Sequence, residues 1–213
     1  MLKVHHLNNS RSQRILWLLE EVDAPYEIVH YKRMSPVPLA PPELRAVHPL
    51  GKSPVISDGA HTIAESGAIV EYVLDTYGKG RLRPAPGTDD HVRYIEWMHY
   101  GEGSAMLPLM MHLYAGYLGD GAAPLRPRID SEIANHLTYI SDALKGHEYF
   151  VGDALTGADI QMTFVLEAAN SSGLLKDYPV LQAYLERMQS RPAYKRAIEK
   201  GGPYDLGGNR RSS

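Results

Sequence analysis

The sequence predicts two domains of different class, a small mixed α/β domain followed by an all-helical domain. In the first third, strand-like and helix-like segments alternate around a hairpin signal, whereas the remainder shows only helical periodicity. Between them, residues 79–90 are rich in glycine, proline, lysine and arginine without apolar periodicity, which is typical of a linker. We therefore expect the first domain in residues 1–78 and the second in residues 91–213.

The first domain should begin with a strand, a helix and a second strand. Residues 2–6 form an extended apolar segment, residues 12–22 place apolar side chains at helical spacing, and residues 26–31 alternate polar and apolar side chains. Because side chains alternate between the faces of a strand, we expect one of His5 and His6 to be buried and the other exposed.

The rest of the first domain should contain a hairpin and a helix. The proline-rich residues 36–42 must be irregular, and residues 54–64 hold two short apolar runs around the turn dipeptide Asp58-Gly59. Ser66 is then expected to cap a helix over residues 67–77. This order predicts a sheet of about four strands in mixed directions.

The second domain should contain only helices, with a loose tail from residue 201 onward. Helical periodicity predicts helices over residues 91–117, 126–144, 158–172 and 179–187. Thr156 and Asp159 have the spacing of a capping box before an apolar run, so we assign them a structural role.

Composition restricts the class of function. A net charge of -3 over 213 residues argues against a nucleic-acid binder, which usually has a basic face. The absence of cysteine excludes disulfides, thiolate metal sites and cysteine nucleophiles, and the ten histidines lack metal-binding spacing, so no metal is expected. No signal peptide or apolar stretch of spanning length is visible, which favours a cytoplasmic protein without a membrane partner.

The turn between the first strand and the first helix could carry chemistry. It delivers the hydroxyls of Ser10 and Ser12 to a helix N-terminus, where free N–H groups and the helix dipole suit an anion such as a thiolate. Since the chain has no cysteine, a thiolate would have to arrive on a ligand. Ser12 is expected to cap the helix, but Asn9, Arg11 and Ser12 all share the turn with Ser10, and any of them could donate to sulfur.

Two further places could bind a peptide-like ligand. A cis Ser53-Pro54 bond would turn the Ser53 backbone toward an extended peptide, although a trans bond is commoner. Glu65 and Ser66 together suit the ammonium and carboxylate groups of an amino acid, and Lys52 could neutralise a second carboxylate. Each also has an ordinary interpretation, as a turn proline, a helix cap with a solvated glutamate, and a surface lysine.

In combination, these segments resemble the cytosolic glutathione S-transferase family. Three elements match its thioredoxin-like domain in order and spacing: Ser10 to Arg14, Ser53-Pro54 and Glu65-Ser66. Three more resemble its helical domain: Leu155 to Ile160, Tyr178 to Leu181 and Ser190 to Tyr194. The resemblance covers roughly residues 1–200, and it implies a thioredoxin-like βαβ-ββα domain followed by a helical bundle.

The resemblance also implies roles for individual residues. Ser10 matches the serine whose hydroxyl stabilises the glutathione thiolate. The Ser53 backbone, beside cis Pro54, would pair with the cysteinyl part of glutathione. The other implied contacts are Glu65 and Ser66 with the γ-glutamyl end, and Lys52 with the glycyl carboxylate. In the helical domain, Met106, Met110 and Tyr114 are candidates for an apolar pocket that holds the electrophile, although core or dimer-interface positions are the alternative.

The implied protein is a detoxifying, cytoplasmic homodimer that uses glutathione as co-substrate, without a metal, against a small hydrophobic electrophile. Peroxide reduction by the same thiolate is a close variant. The alternatives are a glutathione-dependent isomerase or dehalogenase and a non-catalytic glutathione-binding module. No tyrosine lies near the first strand and no cysteine replaces Ser10, which excludes tyrosine-type and cysteine-type activation. The proline-rich residues 36–42 should leave the family's second helix short or absent.

Overall fold

The computed structural model describes residues 1–35 and 39–206, which form two compact units. One unit combines Met1–Arg83 with the chain from Met188 onward, and the other is Pro84–Arg187. This grouping differs from the expected division, because the end of the chain joins the first unit although the sequence predicts one helical domain over residues 91–213.

A four-stranded mixed sheet forms the centre of the first unit, in the order β2-β1-β3-β4. Its strands are β1 (Leu2–Leu7), β2 (Tyr26–Tyr31), β3 (Val55–Asp58) and β4 (His61–Ala64). β1 pairs parallel with β2 and antiparallel with β3, and β3 pairs antiparallel with β4, which confirms the predicted hairpin and mixed directions.

The helices of this unit that precede the linker are α1 (Ser12–Glu21), α2 (Glu43–Val47) and α3 (Ser66–Tyr77). Ile15, Leu16, Leu18 and Leu19 on α1 are fully buried, because their helical spacing directs them into the core. α2 has only five residues, so the second helix is short. Of the predicted irregular segment, residues 36–38 lie outside the described residues and residues 39–42 form no helix or strand.

The second unit is helical throughout its described elements. It contains α4 (Asp89–Tyr100), α5 (Met106–Leu118), α6 (Arg126–Leu144) and α7 (Gly157–Ser171), and α8 (Pro179–Ser190) begins within it. Together with the sheet-containing unit, this confirms the predicted fold class.

The single helix expected over residues 91–117 is interrupted at Gly101–Ala105, where a wide π-type turn separates α4 from α5. Across this turn the Met106 N–H bonds to the Gly101 carbonyl five residues earlier. Pro108 has no N–H to donate to the carbonyl of Ser104, and two glycines in the turn weaken the helix further, so the regular ladder fails here.

The last helix, α9 (Pro192–Gly201), belongs to the first unit because charged side chains bind it to α1. Arg191 Nε lies 2.6 Å from Glu21 Oε1, and Arg196 Nε lies 2.8 Å from Glu20 Oε2. Burial alone would raise the pKa of Glu20, but hydrogen bonds from Lys200, Tyr26 and Arg196 lower it below its ordinary value. The predicted loose tail is described as far as residue 206, without helix or strand after α9, and residues 207–213 lie outside the described part.

Candidate active site

Ser10 lies in the turn between β1 and α1, and its hydroxyl faces several polar groups. Ser10 Oγ accepts a hydrogen bond from the Ser12 N–H at 3.2 Å, and the Ser10 carbonyl accepts from the Gln13 N–H at 3.2 Å. The hydroxyl that accepts from the first N–H of the helix therefore belongs to Ser10, although Ser12 is the residue expected to cap the helix. Ser10 is buried, with 6% of the residue exposed.

Ser12 is fully buried, and its hydroxyl points toward the sheet. Its Oγ lies 2.8 Å from Ser10 Oγ, 2.9 Å from His6 Nδ1 and 3.3 Å from the Leu7 carbonyl oxygen. The prediction that Ser12 caps α1 is wrong, because a buried histidine competes successfully for its hydroxyl.

His5 and His6 are both buried, so the expectation that one would be exposed is wrong. β1 is a central strand, and the unit covers both of its faces. His5 bonds to the Tyr31 hydroxyl and to Ser57 Oγ, each at 3.0 Å. Burial, and to a lesser degree the positive charge of Lys3, lowers the pKa of His5.

His6 lies on the other face of β1 and is the more strongly perturbed imidazole. Burial and the neighbouring ring of His30 lower the pKa of His6 to about 4, although a backbone hydrogen bond with Gly201 opposes this shift. His6 is therefore neutral at pH 7. Nothing in the sequence marks it as part of the site, because its partner Ser12 becomes its neighbour only when α1 folds over β1.

The turn that carries Ser10 is anchored from two directions. Asn9 has a left-handed backbone with φ of 52°, and its carbonyl accepts a 2.8 Å bond from Arg33 Nη2. The Arg33 N–H donates to Asn8 Oδ1 at 2.9 Å, and the Asp205 N–H donates to Asn9 Oδ1 at 2.8 Å. No pattern in the sequence connects Arg33 or Asp205 with this turn, since both lie far from it in the chain.

Ser53 and Pro54 lie beside this turn, and the bond between them is cis, as the family resemblance implies. Ser53 Oγ donates to the His5 carbonyl at 2.8 Å and accepts from the Leu7 N–H at 3.3 Å. Ser10 Oγ lies 3.5 Å from Ser53 Oγ. The fold thus brings two predicted site segments, more than forty residues apart in the chain, to one edge of the sheet.

The N-terminus of α3 is a third predicted segment in this unit. Glu65 is exposed, has a positive φ of 69°, and precedes the helix without a side-chain cap. Ser66 is the first helical residue and not the cap predicted from the sequence, and its Oγ accepts a 3.1 Å bond from Arg14 Nη1. Because the Glu65 side chain makes no cap hydrogen bond, it leaves the first N–H groups of α3 available to a ligand. Lys52, the remaining candidate, is exposed.

The three pocket candidates lie four residues apart on α5 in the helical unit, and they differ in exposure. Met106 is buried at 3% exposure, Met110 is half-buried and Tyr114 is 59% exposed. Met106 therefore contributes to the packing of the unit as it stands, and only the other two present surface.

The described residues contain neither a metal-binding cluster nor a membrane-spanning helix. Within residues 1–35 and 39–206, no group of three or more histidine, aspartate or glutamate side chains is arranged to hold a metal ion. In the same part of the chain, no helix has the length and apolar character needed to cross a membrane.

Comparison with known proteins identifies the family to which this arrangement belongs. The model of the glutathione S-transferase N-terminal domain matches residues 1–75, and that of the C-terminal domain matches residues 110–201. Glutathione S-transferase 3 of Schizosaccharomyces pombe is 34% identical over 218 residues, covering 94% of this chain and 88% of the relative.

Solved structures agree with the sequence comparison. A glutathione S-transferase from Actinobacillus pleuropneumoniae superposes with a TM-score of 0.89 at 34% identity, covering 98% of this chain and 96% of that one. A sphingomonad glutathione S-transferase, solved in complex with glutathione, superposes with a TM-score of 0.76 at 25% identity, covering 94% and 98%. The chain therefore belongs to the glutathione S-transferase family, the family and enzyme class that the sequence predicts.

Proposed function

We propose that this chain is a serine-type glutathione transferase in which the Ser10 hydroxyl donates to the glutathione thiolate. One observation supports this most directly: the Ser12 N–H holds Ser10 Oγ at the N-terminus of α1, where a bond to an anion is stronger than its neutral 2.8 Å contact with Ser12 Oγ. A free thiol with a pKa near 8.5 is only a few per cent ionised at pH 7. A hydroxyl donor together with the helix dipole would lower that pKa by about one to two units.

Ser10 is a better thiolate donor than the other three residues of the turn. Ser12 is fully buried and its hydroxyl faces His6. The side-chain oxygen of Asn9 already accepts from Asp205, although its amide nitrogen could still donate. Arg11 is half-buried and serves as the residue before α1, so it is the main rival.

The peptide part of glutathione fits the other predicted segments of the same unit. We assign the Ser53 backbone beside Pro54 to the cysteinyl amide, and the α3 N-terminus at Glu65 and Ser66 to the γ-glutamyl group. Exposed Lys52 would neutralise the glycyl carboxylate. The sphingomonad relative, which was solved with glutathione, supports this ligand for the family's fold.

The second substrate is a small hydrophobic electrophile, which the thiolate attacks by addition or substitution. Met110 and Tyr114 on α5 remain our candidates for its pocket, with Met106 behind them. Reduction of a peroxide by the same thiolate is a variant of this chemistry. A homodimer acting in the cytoplasm, where thiols are kept reduced, completes the proposal.

A titration of bound glutathione tests the role of Ser10. Thiolate absorbance in the ultraviolet would be followed against pH for the wild type, Ser10→Ala and, as a control, exposed Ser171→Ala. We expect a bound thiol pKa well below 8.5 in the wild type and the control, and a rise of about one unit in Ser10→Ala, which removes the hydroxyl but keeps the helix dipole. Conjugation at pH 7 should slow by about 10-fold in Ser10→Ala.

The outcomes separate the rival functions. Binding with an unperturbed thiol pKa in all proteins would favour a non-catalytic glutathione-binding module. A depressed pKa that Ser10→Ala leaves unchanged would transfer the donor role to Arg11 or Asn9. If glutathione does not bind at all, the transferase proposal fails.

A further inference from the structure

Behind Ser10, a row of hydrogen-bonding groups leads from the surface into the core. Ser10 Oγ is 2.8 Å from Ser12 Oγ, which is 2.9 Å from His6 Nδ1. The backbone of Gly201, at the end of α9, lies beside the other ring nitrogen of His6, because a Cβ at position 201 would be 3.4 Å from Nε2. Each hydroxyl has only one hydrogen, so the direction of donation along this row decides what Ser10 can do.

His6 sets the direction at the inner end of the row. The neighbouring Gly201 backbone acts on the pKa of His6 in the direction of a carbonyl acceptor, which favours the protonated ring, so we infer that a ring N–H points there. Nδ1 is the atom that contacts Ser12, which leaves Nε2 as the donor to Gly201. A side chain at position 201 would contact Leu16 at 2.8 Å, so glycine is what permits this close approach.

A neutral His6 must accept from Ser12. Because burial lowers the pKa of His6 to about 4, the ring carries one hydrogen at pH 7, and Nε2 holds it. Nδ1 is then a bare acceptor, and Ser12 donates to it. The other acceptor near Ser12 is the Leu7 carbonyl, which at 3.3 Å is the longer bond.

With its hydrogen given to His6, Ser12 cannot also donate to Ser10. The 2.8 Å contact between the two hydroxyls therefore runs from Ser10 to Ser12. The other inward acceptor, Ser53 Oγ, lies at the limiting distance of 3.5 Å. The donors thus point inward in sequence, from Ser10 through Ser12 and His6 to Gly201.

We propose that Ser12 and His6 are positioning residues that hold the Ser10 hydrogen inward, so that Ser12 competes with the ligand thiolate for this single donor. The proposal rests on the proposed function, in which Ser10 contacts that thiolate. A thiolate wins the competition because hydrogen bonds to an anion are stronger than those between neutral groups. Bonding to the thiolate breaks the Ser10–Ser12 hydrogen bond. Ser10 therefore stabilises the thiolate by less than a serine whose hydroxyl had no other acceptor.

The variant Ser12→Ala tests this proposal, because it should shift the thiol pKa in the direction opposite to that expected if Ser12 had a purely structural role. It removes the competing acceptor but keeps the Ser12 N–H that orients Ser10. The pKa of bound glutathione should then fall below the wild-type value by about half a unit to one unit, the size of one neutral hydrogen bond. Simple damage to the turn would instead raise it.

Two further variants act as controls. Ser57→Ala removes a hydroxyl that bonds to the other buried histidine, His5, at 3.0 Å without contacting Ser10, and should leave the bound thiol pKa unchanged. In the double variant Ser10→Ala/Ser12→Ala the thiol pKa should equal that of Ser10→Ala alone, because Ser12 acts only through Ser10. Unfolding in urea would be measured for each variant to verify that it is folded.

The proposal is overturned, with the transferase assignment intact, if Ser12→Ala raises or leaves unchanged a thiol pKa that Ser10→Ala raises. If the wild type does not lower the thiol pKa, both fall together. An independent measurement needs no ligand: nitrogen-15 NMR of histidine-labelled protein at pH 7 should show His6 as the neutral Nε2–H tautomer. A hydrogen on Nδ1 would reverse the row and overturn the proposal.

Discussion

The N-termini of α1 and α7 bond their free backbone N–H groups in contrasting ways. At α7, Thr156 and Asp159 form a complete capping box, and every oxygen of Asp159 is used. Its carboxylate accepts from the Phe150 and Thr156 N–H groups at 3.1 and 2.8 Å, and from the hydroxyls of Thr156 and Tyr184 at 3.0 and 2.8 Å. At α1, by contrast, one small hydroxyl, that of Ser10, accepts the first N–H, and its own hydrogen can be redirected from Ser12 to a ligand.

The difference separates stability from chemistry. The α7 end is sealed, since Asp159 is fully buried and its donors are internal, so it can only hold the helical unit together. Burial raises the pKa of Asp159 in spite of these hydrogen bonds. The α1 end contains no carboxylate in its first turn, which leaves room for a negative charge that comes with a ligand.

The largest effect is expected from Asp159→Ala. It would leave four buried donors without their acceptor, so we expect a loss of about 3–5 kcal/mol in the free energy of unfolding, measured in urea. Exposed Asp153→Ala is the control and should change stability by less than about 0.5 kcal/mol. A change below about 1 kcal/mol for Asp159→Ala would mean that the α7 cap is not the structural anchor described here.

The α1 end should show its own dependence on pH. The pKa of His6 is about 4 in the folded protein and near 6.5 when unfolded, so only the unfolded chain binds this proton between those values. Neutral His6 therefore contributes fully to the free energy of unfolding above pH 6.5. This contribution, about 3 kcal/mol in total, is lost as the pH falls toward 4. Urea unfolding across this range measures the loss.

A matched pair of variants isolates His6 from the other groups that titrate. His6→Asn should flatten the fall in stability between pH 6.5 and 4, whereas exposed His99→Asn should keep it. If both variants retain the wild-type slope, His6 is not held neutral by the fold.

The smallest expected effect sharpens the comparison most directly. Thr156→Ala removes a cap hydroxyl that bonds to Asp159, and should cost about 1 kcal/mol in the free energy of unfolding. The bound thiol pKa should stay at its wild-type value, in contrast to Ser10→Ala. A shift in that pKa on removal of Thr156 would show that the two helix ends are coupled.

Local sequence signals predict the N-terminus of α7 better than that of α1. Thr156 and Asp159 interact with each other three residues apart, so their spacing alone identifies the capping box. The strands and the hairpin were likewise predicted, because alternation and the turn dipeptide are local features. The same holds for the shortness of α2, which follows a proline-rich stretch.

The details of the α1 N-terminus depend on contacts between distant residues, which local sequence patterns do not show. His6 accepts from Ser12 only because β1 is a central strand with α1 folded across it, so alternation misjudged its burial. The break at Gly101–Ala105 required the combination of two glycines with a proline downstream, which apolar periodicity passes over. The placement of α9 beside α1 rests on charge pairs such as Glu20 with Arg196, nearly the whole chain apart.

That placement has a consequence for how the protein is made. The sheet and α1 lie at the start of the chain, whereas the helix that completes their unit ends at Gly201. A ribosome synthesises the chain from its N-terminus, so Arg191 and Arg196 emerge 170 and 176 residues after their partners Glu21 and Glu20. The unit that carries Ser10 therefore stays incomplete until residues 191–201 have been translated, and a chain released before residue 191 would lack those partners altogether.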